Sequence, residues 1–132
     1  ASGFVGPLGA LVIGVTAGLA CFFATNYMKR TLHVDDSLDV FPVHGVGGII
    51  GTTLTGVFAA TTLGGVGFAE GITMGKQVTT QLTGILVTAA WSGIVTFILL
   101  KLIGFMLGLR VTVEQETEGL DTVLHNETGY NL

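Results

Sequence analysis

Acidic and basic side chains are missing from three long stretches of this chain, residues 1–28, 40–69 and 77–100. Each exceeds the roughly 20 apolar residues that carry a helix through a hydrocarbon layer about 30 Å thick at about 1.5 Å per residue. Lipid offers no hydrogen bonds to the backbone, so a run of this kind has to satisfy itself as a helix. The pattern predicts three membrane-spanning helices, over about 5–28, 40–60 and 78–106. A soluble bundle would need polar faces recurring with the helical period, and these runs lack them. Composition agrees, since 11% of the residues are charged where soluble domains carry about 25%.

The first residue is Ala1, with no initiator Met and no basic segment before the first apolar run. The segment therefore reads neither as a signal peptide nor as a native beginning. Cys21 is the single cysteine, which excludes an intrachain disulfide, and inside the first span it reads as a small apolar filler. The net charge of -4 sits largely in the C-terminal tail, and nothing here could neutralise a run of phosphates. Nucleic acid is excluded as a partner, whereas a lipid bilayer is required.

Lys29 and Arg30 follow directly on the first span. Basic residues favour the cytoplasmic side, so that connection is expected inside, the 59–77 connection outside, and Arg110 with the tail inside. Lys76 dissents from this arrangement, and Lys101 can snorkel to the interface. The chain divides on this reading into a membrane part, 1–109, and a cytoplasmic tail, 110–132. Gly14 with Gly18 and Gly47 with Gly51 have the four-residue spacing that lets helices approach closely in lipid. Three spans so rich in glycine are expected to pack into a larger bundle.

The glycine-rich "ATTLGGVGFAEGITMG" invites comparison with phosphate-binding loops. The Walker pattern fails at Glu70 and Gln77, and the dinucleotide pattern fails at Gly71, with no strand before it. A flexible connection is expected there. In the tail, Thr112 with Gln115 forms a capping box and Gly119 stops the short helix "VEQETE". Asn126-Glu127-Thr128 matches a glycosylation acceptor, which a cytoplasmic tail would never use.

One titratable residue interrupts the second apolar run: His44, in "DVFPVHGVGGIIG". Asp39 is expected to cap this helix and Pro42 fits its first turn. His44, Gly47, Gly48 and Gly51 then fall at i, i+3, i+4 and i+7, one face of the helix. An ionisable residue inside a membrane marks a functional site by default, and the alternative is a histidine hydrogen-bonded between helices for packing. A neutral imidazole can accept from a small polar species on one side and donate on the other, which suits the handling of a small base. No second ligand lies at i+3 or i+4, so a metal site is not expected. His33 and His125 lie in polar segments and read as solvated.

The segments "DVFPVHGVGGIIG", "GVFAATTLGGVGFAEGITMG", "AAWSGIV" and "GLRVTVEQETEGLD", in this order, resemble the last three spans and the cytoplasmic tail of the ammonium transporter (Amt) family, over essentially the whole chain. The resemblance implies an eleven-helix all-α membrane fold with eight spans upstream of this segment. It implies a multi-pass protein of the cell membrane, a homotrimer with a hydrophobic pore in each subunit, conducting ammonium or ammonia without cofactor, metal or enzymatic step. His44 matches the second of the family's paired pore histidines. Asp39 and Phe41 match positions at the inner mouth of that helix, with Gly47, Gly48 and Gly51 lining it. Glu118, Gly119, Leu120 and Asp121 match the regulatory tail, which docks a PII-type signalling protein in many bacterial members. Pro42 stands where the family usually has glycine, His125-Asn126 replaces His-Gly, and Gly129 stands where alanine is common. Asn126 tolerates a left-handed turn, so the turn is expected to survive. His44 lies about 7 Å along the helix axis from Asp39 at about 1.5 Å per residue, shallow for a pore residue unless a vestibule reaches it. The alternative is a membrane-anchored docking module whose useful part is the tail. An intramembrane enzyme is disfavoured, because His44 has no nucleophile or metal set beside it.

Overall fold

The computed structural model describes residue 1 and residues 3–129. Among these the chain is all-helical: α1 Pro7–Tyr27, α2 Gly47–Phe58, α3 Met74–Met106, α4 Val113–Glu118 and α5 Leu120–His125. Wide π-helical turns extend two of them, Met28–Leu32 after α1 and Phe41–Val46 before α2, and a 3-10 turn spans Thr61–Leu63. With these turns included, three helices are long and apolar enough to cross a membrane: Pro7–Leu32, Phe41–Phe58 and Met74–Met106. The middle one, 18 residues, is about 27 Å long, just the thickness of the hydrocarbon layer.

Two compact units divide within α3, Ala1–Ala90 and Trp91–Leu132. In the first, α1 packs against α2 and the π turn before it. The packed side of α1 is a stripe of small or β-branched residues, with Gly9 and Ile13 buried and Ala17, Cys21 and Ala24 half-buried. These residues recur at three- and four-residue steps, one helical face. A Cβ on Gly9 would press on the Phe58 side chain, and one on Gly47 would sit 3.1 Å from Cys21 Sγ. Gly56 is buried against Val78 and Gln81 of α3. Close approach at small residues is how helices gain dispersion energy in lipid, where burial from water contributes nothing. Gly14, Gly18, Gly48 and Gly51 have nothing described within 4 Å of an added Cβ. Of the spaced pairs, only Gly47 meets a neighbouring helix among the described residues.

The connection from 59 to 73 is tightly folded, where the sequence led us to expect flexibility. The N–H of Gly65 donates to Ala60 O at 3.0 Å, that of Gly67 to Ala59 O at 2.7 Å, and that of Val66 to Phe4 O at 3.1 Å. Gly64 and Gly67 have φ of 82° and 96°, values that glycine adopts without a Cβ clash. A Cβ on Gly65 would overlap the backbone of Phe58 and Ala59, and one on Gly6 would overlap the Gly64 carbonyl. The glycines serve close backbone approach. The third helix begins at Met74 rather than 78, because Thr73 Oγ1 accepts from Lys76 N at 3.3 Å and Thr73 O from Gln77 N at 2.9 Å. Lys76 therefore sits in the first turn of α3.

In the second unit, no residue of α3 is buried, as suits a helix faced by lipid or by further protein. Thr112 and Gln115 form the reciprocal capping box at the start of α4, at 3.1 and 3.3 Å. Gly119, with φ 102°, separates α4 from α5, and α5 itself was not expected from the sequence. Asn126 takes the left-handed conformation, φ 53° and ψ 36°, as its tolerance for that region allows.

Candidate functional site

The site is built around the connection that delivers the chain from α1 to His44. α1 runs on through the π turn Met28–Leu32 to His33, which is left-handed (φ 51°, ψ 38°), and Val34 N closes the end on Met28 O at 3.1 Å. Asp36 then turns back onto the next helix. Its two carboxylate oxygens accept from Val40 N at 2.9 Å and Phe41 N at 2.8 Å. Pro42, fully buried, has no N–H to satisfy, and Val43 N donates to Asp39 O at 3.0 Å. Every N–H that a helix start leaves open is accounted for up to His44.

The capping carboxylate is thus Asp36, a correction to the reading of Asp39. Asp39 adopts φ 54°, and its carboxylate meets Lys29 instead, with Nζ 2.9 Å from Oδ1 and 3.0 Å from Oδ2. A cap needs a side chain folded toward the following N–H groups, and the left-handed Asp39 is directed away from them to Lys29 in the π turn that extends α1. The N–H groups of Phe41 and then Val40 hold the Asp36 carboxyl below its usual range, and the Lys29 charge acts in the same direction.

His44 lies within the π turn Phe41–Val46 and is exposed. Its imidazole has no hydrogen-bond partner among the described residues. The Phe41 ring lies over Gly45, next to His44 in the chain. Gly47 backs onto Cys21 of α1, whereas Gly48 and Gly51 face open space. A π turn closes i to i+5 and advances each residue by a smaller angle than an α-helix. The phase between His44 and the three glycines therefore differs from simple α spacing. Such turns are frequent at functional sites.

Toward the other end of α2, the sequence reading missed a group of polar residues. Thr52 and Thr55 of α2, with Gln77 and Gln81 of α3, line an open cleft of about 480 Å³. Their signal in the sequence was the presence of amides in an apolar span. Glu118, Gly119, Leu120 and Asp121 sit at the joint of α4 and α5, in the second unit. There Arg110 grips Glu116 through both Nε and Nη2, the latter at 3.0 Å, and this holds the Glu116 carboxyl below its usual range.

The model of the Ammonium Transporter Family matches residues 1–130. The chain belongs to the Ammonium Transporter Family. Curated relatives agree: an ammonium transporter of Aquifex aeolicus is 42% identical over 100% of this chain and 31% of its own length. One of Bacillus subtilis is 38% identical over 98% and 32%. The ammonium transporter Amt1 of Archaeoglobus fulgidus is 36% identical over 98% and 33%. The chain thus spans about a third of the length of these relatives. Family membership and the three apolar helices among the described residues make this chain part of a membrane protein.

Proposed function

We propose that this chain forms part of an ammonium-conducting pore, with His44 facing the permeating species and no covalent step. What supports the reading is the match of residues 1–130 to the Ammonium Transporter Family, together with His44 as the one titratable side chain in the apolar run 40–69, since an ionisable residue inside a membrane marks a functional site by default. Asp39 and Phe41 stand at the inner mouth, and Gly47, Gly48 and Gly51 belong to the same helix. Residues 1–109 form the membrane part, in subunits that assemble as homotrimers. Residues 110–132 form a cytoplasmic tail, an orientation supported by Lys29 and Arg30 at the end of α1. Glu118, Gly119, Leu120 and Asp121 at its interhelical joint are the surface for a PII-type signalling protein.

A full-length protein carrying these residues, reconstituted in liposomes, tests the reading. Rapid ammonium addition is expected to drive substrate flux or current that potassium of equal concentration does not. Equal responses to both ions, or none to ammonium, overturn it.

A further inference from the structure

We propose that Lys29 is a positioning residue for His44, acting through Asp39. The proposal rests on the pore reading of His44 and deepens it. Asp39 is left-handed at φ 54°, a conformation that Asp tolerates better than most residues. Lys29 Nζ reaches both of its carboxylate oxygens, at 2.9 and 3.0 Å. The Asp39 carbonyl in turn accepts the N–H of Val43 at 3.0 Å, the residue immediately before His44. A rotation of the Asp39 backbone moves that acceptor and, with it, the turn bearing the imidazole.

Two further features make α1 the anchor. Lys29 belongs to the π turn that ends this helix, and Cys21 of the same helix lies with Sγ 3.7 Å from Val43 O. The Lys29 and Asp39 side chains are 44% and 29% exposed, so the pair adds little to bulk stability. Its effect is on where the turn sits.

The test uses the full-length protein with Lys29→Met, Asp39→Asn, the double variant and Lys29→Arg. Asn keeps the tolerance for positive φ while removing the charge. In each single variant the ¹⁵N resonances of the His44 imidazole are expected to move, and ammonium flux to fall by up to about five-fold. The double variant falls no further than the singles, and Lys29→Arg restores both readouts. Unchanged imidazole resonances in the singles, or losses that add in the double variant, overturn the proposal. Should Lys29→Met fail to reach the membrane, Asp39→Asn carries the same comparison. The two readings fail separately. If His44→Ala leaves flux unchanged, the pore role falls while the resonances still decide the positioning. If His44→Ala alters flux but the single variants leave the resonances in place, the positioning falls and the pore role stands.

Discussion

The two connections in the first ninety residues return the chain in different ways. Residues 59–73 are held by backbone groups, with glycines where the chain touches itself: Gly6 against Gly64, and Gly65 against Phe58 and Ala59. Residues 33–40 add charged side chains to a few backbone bonds: Asp36 binds two N–H groups and Lys29 meets Asp39. Backbone contacts at van der Waals distance leave no room for change, whereas charged side chains near water can be exchanged, screened or protonated. The difference teaches where to look for function. The rigid connection braces the fold, and the adjustable one leads into the histidine.

The largest effect is expected at the rigid end. Gly65→Ala drives a Cβ into the Phe58 and Ala59 backbone, and overpacking of this kind should lower stability by about 3 kcal/mol or more. Thermal unfolding in detergent measures it, and a melting temperature equal to wild type would break the comparison. At the charged end, Asp36→Ala leaves the N–H groups of Val40 and Phe41 without their acceptor, and water can partly replace it. A smaller fall, of a few degrees, is expected in the same assay. A loss as large as that from Gly65→Ala would show both connections to be equally rigid.

Acid gives the smallest and most selective effect. The Asp36 carboxyl is held below the ordinary value of 3.8 by Phe41 and Val40 N–H and by Lys29. Its contribution is therefore present above the unfolded value and disappears as pH falls through the lower folded one. Amide proton shifts of Val40 and Phe41 should titrate with a midpoint below 3.8, while those of Gly65 and Gly67 stay put. A midpoint at or above that value would mean that the carboxylate is not held as described.

The spans were legible in the sequence because exclusion of charge is a property of composition, and the capping box because Thr112 and Gln115 act at a fixed spacing. The tight turn at residues 59–67 was not legible: glycine permits either freedom or close approach, and only the neighbours decide which. The π turns left no composition signal either, so the face shared by His44 and its glycines was drawn with α spacing. Asp36 and Asp39 could both cap by position, and the choice between them rests on Lys29, ten residues away from Asp39 in the chain. Gly14 and Gly18 had the spacing for packing but face no described neighbour, consistent with a chain that spans about a third of its relatives' length.

The most direct test of the central claim is ammonium flux through the full-length protein with His44→Ala, measured beside membrane insertion and oligomeric assembly. The expected result is altered flux or altered selectivity against potassium, with insertion and assembly as in wild type. Flux and selectivity identical to wild type, with normal assembly, would contradict the claim and reduce His44 to a packing residue.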